Sequence, residues 1–241
     1  MAGKAPLVIT GKDEMRRWSR PVLPSEDLST YPSDFLGDVE KLKSVPGGVD
    51  VVFHPRNLYD YGQNDGVKKG ENGVKREEGK SRPVFFRGVA TIVAKLFNIV
   101  EPDVAVFGKK DYQQWKIIER MVRDLDFGIK VIGGDLVRDT DGLAKSSRNV
   151  HLSPEERVKA LSISKSLFNA KLAAENGKVN CKELRDSVIQ AIHEAGGKVD
   201  YAEIVDQESL ETPEDIKHPV VFCVAAWFGN VRLLDNMEIN V

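Results

Sequence analysis

Apolar residues occur along the chain in short runs that alternate with longer segments of helical periodicity. Residues 49–53, 104–107 and 129–132 are short apolar runs rich in β-branched side chains, and each predicts a buried β-strand. Apolar positions recur every three or four residues over 85–100 and 115–122, which predicts two helices with one buried face. Strands that alternate with helices in this order predict an α/β fold with a doubly wound, parallel, Rossmann-like sheet.

The pattern after this region is that of two helices with clear start signals. Ser153, Pro154 and Glu156 combine an N-cap, a proline at the first helical position and a capping-box glutamate. They predict a helix that continues to about Ala170. Asn180 is expected to cap a second helix, which a Gly-Gly dipeptide ends.

The last part of the chain has the pattern of a small antiparallel sheet. Residues 199–205 alternate between apolar and polar side chains, and the runs 220–228 and 231–234 flank a Gly-Asn dipeptide that is typical of a hairpin. We therefore predict two domains: a Rossmann-like domain over residues 1–136 and a smaller α+β lid domain over residues 137–241.

Composition narrows the class of protein. Of the 241 residues, 41% are hydrophobic and 30% are charged, which is the balance of a soluble globular protein. The net charge of -2 gives no field that would collect nucleic acid or an anionic membrane, and no apolar run reaches the roughly 20 residues of a membrane helix. With two cysteines at no metal-ligand spacing and no secretory apolar core, we expect a cytoplasmic protein without nucleic-acid or membrane partners.

Gly108, Lys109, Lys110 and Asp111 follow one predicted strand and open a helix. Backbone N–H groups, the helix dipole and an ammonium group converge at such a turn, which suits the binding of an anion such as phosphate. The pattern G-x-x-x-x-G-K-[ST] is absent, so nucleotide binding of the P-loop kind is disfavoured. Taken alone, these four residues are equally consistent with a solvated turn.

A second polar segment, residues 139–149, follows the third predicted strand. Its Lys145, Ser146, Ser147 and Arg148 supply an ammonium group, two hydroxyls and a guanidinium. The guanidinium of Arg148 can donate two parallel N–H hydrogen bonds to phosphate oxygens. Such a segment is by itself more typical of a surface loop. Because both polar segments come just after strands of the predicted sheet, their shared position favours a common site for a nucleotide.

Two longer stretches carry a resemblance to a known family. Residues 84–114, which include Gly-Lys-Lys-Asp-Tyr-Gln-Gln, and residues 141–149, which read Asp-Gly-Leu-Ala-Lys-Ser-Ser-Arg-Asn, closely resemble pantothenate synthetase, particularly its plant form. Residues 26–32, 225–226 and 232–236 also fit. Together these segments cover most of the chain in the order that the family has.

The resemblance implies a pantoate:β-alanine ligase of the AMP-forming kind, which acts in pantothenate biosynthesis. In that reaction the pantoate carboxylate attacks the α-phosphorus of ATP and pyrophosphate leaves. The amine of β-alanine then displaces AMP from the pantoyl adenylate. Magnesium is expected with ATP, and a homodimer formed through the N-terminal domain is the expected assembly.

The resemblance also assigns roles to individual residues. The predicted ATP-binding residues are Gly108, Lys109, Lys110, Asp111, Val137, Lys145, Ser146, Ser147 and Arg148. Of these, Lys110, Ser146, Ser147 and Arg148 are the predicted catalytic residues, because preorganised donors stabilise charge that develops on phosphate. Gln114 is expected to hydrogen-bond pantoate, and the backbone of Val137 to meet adenine. Asp38 is a candidate near the metal, although a solvated carboxylate on a helix face is the commoner role.

The chain lacks two segments that the family carries. It has neither the Met-Gly-x-x-His-x-Gly-His turn nor the Val-Asn-Pro-x-Gln-Phe segment, and Arg20 leads through two prolines directly to Ser25. We predict an internal deletion there that removes two strands, a helix, both histidines and a pantoate-binding glutamine. The histidines that are present are isolated: His54, His151, His193 and His218. Lys145 also replaces the apolar residue usual before Ser-Ser-Arg.

We therefore expect catalysis by this chain to be absent or strongly reduced. Two other functions are consistent with the same residues. One is an impaired isoform that only associates with intact subunits, which co-purification without activity would favour. The other is a stand-alone nucleotide-binding regulator, which ATP binding without pantoate binding would favour.

Overall fold

The computed structural model describes residues 7–8, 34–47, 49–54 and 83–240, of which residues 7–8 and 83–85 are described by their backbone alone. The chain divides into two compact units, residues 11–100 and residues 1–10 with 101–241. This division does not coincide with the domain boundary expected after residue 136, which stays a prediction. None of the described helices is long and apolar enough to cross a membrane.

The described residues form five α-helices and six strands. The helices are α1 (Phe35–Lys43), α2 (Pro83–Val100), α3 (Tyr112–Asp124), α4 (Pro154–Glu175) and α5 (Cys181–Glu194). The strands are β1 (Leu7–Val8), β2 (Val104–Gly108), β3 (Lys130–Gly134), β4 (Lys198–Asp206), β5 (Val220–Phe228) and β6 (Val231–Ile239). All four helices predicted from periodicity and caps are therefore present.

The unit of residues 11–100 contains α1 and α2, and one sequence prediction fails in it. Residues 49–54 form no strand, and the side chains are exposed, Val51 by 79%. Periodicity cannot distinguish a buried strand from an apolar coil, and a strand needs a neighbour for its ladder of hydrogen bonds. The deletion expected after Arg20 would remove two strands of the family's sheet, which gives a physical reason for a missing neighbour. In α2, by contrast, the predicted apolar face is buried, with Ile92 and Val93 fully so.

A parallel sheet in the order β1-β2-β3 lies in the larger unit. Val106 of the central strand pairs with Val8 on one side and Ile132 on the other. Ala105 and Phe107, which point to one face of this strand, are buried, whereas Val104 and Val106 on the other face are partly buried. The chain leaves β2 through a short 3-10 turn, Lys109–Asp111, and returns to β3 through α3.

The C-terminal part is an antiparallel sheet, β4-β5-β6, with α4 and α5 packed against it. The predicted capping box is present: Ser153 Oγ accepts from the N–H of Glu156 at 3.2 Å, and the Glu156 carboxylate accepts from the N–H of Ser153 at 2.8 Å. Gly229 takes a φ of +56° in the predicted hairpin between β5 and β6. Helix α4 continues to Glu175 instead of ending near Ala170.

Strand β6 is longer than the sequence pattern predicted. It continues beyond residue 234 to Ile239, through Asp235 and Asn236, which are both buried. Two consecutive polar residues interrupt the apolar run, so the pattern alone ended the strand too early. Asp235 and Asn236 are called the β6 polar pair below.

Candidate functional site

The first predicted phosphate segment, residues 108–111, is named the GKKD turn. Gly108 ends β2 with a φ of -72°, a conformation open to any residue, and the next three residues form the 3-10 turn that precedes α3. A Cβ atom at Gly108 would meet no heavy atom of the described residues within 4 Å. Packing among the described residues therefore does not require glycine at position 108. Close approach of a ligand to the backbone would require it, because any side chain would occupy the same space.

The two lysines of the GKKD turn differ in their partners. Lys109 Nζ lies 3.1 Å from the Asp135 carboxylate and 3.4 Å from that of Glu238. Burial alone would lower the pKa of Lys109, but these two carboxylates outweigh it and raise the pKa. The Lys110 ammonium makes no ion pair within the described part of the chain. Lys110 is therefore the lysine whose charge can serve an anion.

The second polar segment, named the SSR loop and taken as residues 137–149, begins as a narrow hairpin. The carbonyl of Val137 accepts a hydrogen bond from the Lys145 N–H at 2.9 Å, and Arg138 bridges to Ala144 across the hairpin. Gly142 turns the chain with a φ of +96°, which favours glycine. The Val137 side chain is 62% exposed, so its position at the mouth of the hairpin leaves room for a ligand.

Charged groups fix the tip of the SSR loop. Arg157 of α4 donates to the carboxylates of Asp139 and Asp141, each at 2.8 Å. The backbone N–H of Leu143 and the Arg157 guanidinium lower the pKa of Asp141. Lys145 Nζ is 3.8 Å from the Asp139 carboxylate, so this predicted phosphate ligand lies within the loop's own ionic network.

The Ser-Ser-Arg segment is held by local hydrogen bonds. Ser146 caps a short 3-10 segment, Ser147–His151, because its hydroxyl oxygen accepts from the Arg148 N–H at 3.3 Å. Asn149 Nδ2 donates to the Ala144 carbonyl at 3.0 Å. Ser146, whose backbone is extended, thus caps the 3-10 segment that contains Ser147 and Arg148. The three predicted catalytic residues of the SSR loop follow one another in a segment constrained by these hydrogen bonds.

The β6 polar pair joins the GKKD turn to the SSR loop. Asn236 Nδ2 donates to the carbonyls of Lys109 and Lys110 at 2.8 and 2.9 Å. The Asp235 carboxylate accepts two hydrogen bonds from the Arg138 guanidinium at 2.7 and 2.8 Å. The structure therefore brings together the two segments that the sequence placed at a common site. The sequence analysis missed the polar pair and Arg138. The one feature of the sequence that could have indicated the pair is the occurrence of two consecutive polar residues within the apolar pattern of a strand.

The two remaining predicted site residues have different surroundings. Gln114, in the first turn of α3, is buried, and its Oε1 has no hydrogen-bond partner among the described residues. A buried acceptor without a partner is costly, which is compatible with a ligand contact. Asp38 lies on α1 in the other compact unit, is exposed, and pairs with Lys41 at 3.1 Å. These are the features of a solvated helix-face carboxylate.

Comparison with known sequences gives matches over most of the chain. The family model described as Pantoate-beta-alanine ligase matches residues 21–238. The chain is 56% identical over 307 residues to the pantoate–beta-alanine ligase of Lotus japonicus, with 98% of this chain and 100% of that protein covered. Because 307 positions exceed the 241 residues of this chain, the relative has segments without a counterpart here, in agreement with an internal deletion.

Solved structures of the same family resemble the fold. Pantothenate synthetase from Thermus thermophilus has a TM-score of 0.81 at 32% identity, with 100% of this chain and 94% of that chain covered. Pantoate-beta-alanine ligase from Francisella tularensis, complexed with beta-gamma ATP and beta-alanine, has a TM-score of 0.64 at 28% identity and covers 97% and 78%. Sequence and fold agree, and the chain belongs to the pantoate–β-alanine ligase family.

Proposed function

We propose that this chain carries the nucleotide site of a ligase that condenses pantoate with β-alanine through a pantoyl adenylate. The observation that supports the proposal is the attachment of both the GKKD turn and the SSR loop to adjacent residues of β6. A solved family member was obtained with beta-gamma ATP and beta-alanine, which supports ATP and β-alanine as substrates here. Pantoate is the acid that the family name supplies.

The residues divide the work by charge and position. Lys110 and Arg148 would neutralise the triphosphate as pyrophosphate leaves, and the hydroxyls of Ser146 and Ser147 would donate to phosphate oxygens. Preorganised donors of this kind stabilise charge that develops in the transition state. Gln114 Oε1 would accept a hydrogen bond from a hydroxyl of pantoate, which would give this buried acceptor a partner.

Magnesium enters this proposal as part of the Mg-ATP substrate. The described residues contain no group of three or more His, Cys, Asp or Glu side chains that could hold a metal ion. Magnesium is commonly bound by one or two carboxylates together with substrate phosphates, so a site built entirely from protein is not required. Asp38 is exposed and forms an ion pair with Lys41, which gives little support to the hypothesis that Asp38 is a metal ligand.

The absent histidine turn favours a second function, that of an impaired isoform which associates with intact subunits. No His-x-Gly-His sequence is present, although both cationic segments are retained. Retained nucleotide loops without the histidines would leave ATP binding less affected than turnover. A homodimeric assembly and a cytoplasmic location stay predictions.

Replacement of Gly108 by Ala is expected to separate folding from nucleotide binding. Its φ of -72° and open surroundings suit alanine, so the free energy of unfolding should be unchanged or higher by about 0.5 kcal/mol. If phosphates approach this backbone, the added methyl group should raise the Kd for ATP about tenfold or more. Calorimetric titration and thermal melting measure the two effects. Unchanged ATP affinity would argue against close approach at Gly108.

The neighbouring lysines provide a matched pair for testing the assignment of charge. Lys110→Met should raise the Kd for Mg-ATP about 10- to 100-fold, because a charge-assisted contact contributes about 1.5–3 kcal/mol. Lys109→Met removes the same charge one residue away, but it breaks contacts to Asp135 and Glu238 instead. It should change the affinity less than threefold by the same reasoning. Calorimetry on both variants decides, and an equal or larger loss for Lys109→Met would reverse the assignment.

A further inference from the structure

The β6 polar pair is an unusual feature in a buried strand. Asp235 and Asn236 are 4% and 6% exposed in the part of the chain that contributes most of the C-terminal core. A buried charge or amide destabilises a fold unless it is fully hydrogen-bonded. Apolar residues at these positions would fill the same core, so the pair calls for a role beyond packing.

Adjacent strand residues point to opposite faces of a sheet, and the pair uses both faces. Asn236 pairs across the sheet with Cys223, which packs with Tyr112 at the start of α3. Asp235 pairs with Val224, which belongs to the core shared with α4 and α5. Strand β6 is the edge strand of its sheet, and the Asp235 carboxylate also accepts from the Asn236 N–H at 2.7 Å. The GKKD turn and the SSR loop are therefore both attached along this edge.

The Asn236 amide fixes the direction of two consecutive peptide groups. Its Nδ2 binds the carbonyls of both Lys109 and Lys110. In a trans peptide the C=O and the following N–H point in opposite directions. Holding both carbonyls toward β6 therefore directs the N–H groups of Lys110 and Asp111 away from β6.

The Asp235 carboxylate fixes the base of the SSR loop through Arg138. Besides its two contacts with Asp235, the guanidinium donates to the carbonyl of Gly142 at 3.1 Å and to that of Asn236 at 3.4 Å. Burial raises the pKa of Asp235, and the hydrogen bonds from Arg138 act against this rise, as does the charge of Lys110. The Asp235 carboxylate thus interacts with one cation from each segment, Arg138 of the SSR loop and Lys110 of the GKKD turn.

We propose that Asp235 and Asn236 are positioning residues that hold the GKKD turn and the SSR loop at a fixed spacing for one triphosphate. The inference rests on the proposed nucleotide function. Neither side chain needs to touch the nucleotide. Asn236 acts through the backbone of the turn, and Asp235 acts through Arg138.

The test compares Asn236→Ala and Asp235→Asn with the unchanged chain by hydrogen exchange and by ATP titration. Without ligand, Asn236→Ala should speed amide exchange about tenfold over residues 109–112, and Asp235→Asn should do so over 138–145, as expected when hydrogen bonds worth about 1–2 kcal/mol are lost. Each variant should raise the Kd for ATP about tenfold. Asp200→Asn is the matched control, because it breaks an ion pair of 2.6 Å with Arg232 elsewhere on β6.

A double-mutant cycle separates positioning from general loosening of the fold. If Asn236 acts through the turn, Asn236→Ala with Lys110→Met should lose less ATP affinity than the two single losses predict, whereas a merely structural role gives additive losses. If the chain without substitutions binds no ATP, the nucleotide function is ruled out. If amide exchange in the two variants still increases as expected, the role of Asp235 and Asn236 in holding the two segments stands without that function. The positioning role is overturned if Asn236→Ala and Asp235→Asn bind ATP as tightly as Asp200→Asn does, or if their backbone amides exchange as slowly as those of Asp200→Asn.

Discussion

In the presence of pantoate and β-alanine, the purified chain is expected to release AMP from ATP at least about 100-fold more slowly than an intact ligase of the family. Removal of one preorganised donor commonly costs about 10²–10³ in turnover, and this chain lacks both histidines of the family's His-x-Gly-His turn. The retained GKKD turn and SSR loop should preserve part of the ATP affinity. The defect should therefore be larger in turnover than in nucleotide binding.

The measurement is AMP formation with and without pantoate, for this chain and for an intact plant relative. Lys110→Met is the internal control: residual activity that belongs to this site should fall further in that variant, whereas activity from a contaminant should not. Turnover similar to that of the intact relative would refute the expectation. No turnover, together with co-purification with an intact subunit, would favour the associating isoform.

Arg138→Met is expected to lower the free energy of unfolding by about 3 kcal/mol. Breaking a buried ion pair leaves its partner charged and unpaired, which typically costs about 3–5 kcal/mol. The lower end applies because the Arg138 side chain is 25% exposed while that of Asp235 is only 3% exposed. Urea denaturation measures the change, with the slope of the transition checked for constancy.

Two controls identify the unpaired carboxylate as the cause. Arg138→Met combined with Asp235→Leu should recover most of the loss, because an apolar pair of similar volume can replace a buried ion pair. Burial raises the pKa of Asp235, and without Arg138 nothing of equal strength opposes that rise. A group with a raised folded-state pKa favours folding at low pH and loses that contribution as pH rises, so the deficit of the single variant should be smaller at about pH 4 than at about pH 7. A loss below about 1 kcal/mol, or no recovery in the double variant, would contradict this account.

Elements whose signals are local were predictable from the sequence. The capping box at Ser153 and Glu156, the Asn180 cap and the hairpin at Gly229 all formed as their residues indicate. The failed strand at residues 49–54 and the underestimated β6 have a common origin. Whether a segment becomes a strand depends on a neighbour supplied by another part of the chain, and its own residues do not report that neighbour.

The sequence by itself determined the family, the two cationic segments and their order along the chain. Only the tertiary structure decided that Lys109 forms ion pairs with Asp135 and Glu238, whereas Lys110 pairs with no carboxylate of the described residues. It also decided that the β6 polar pair joins the two segments. The reason is distance along the chain: Asn236 and Lys109 are 127 residues apart, and Asp235 and Arg138 are 97 apart. Hydrogen bonds over such separations arise only after strands and helices have packed, so no local pattern of residue types can encode them.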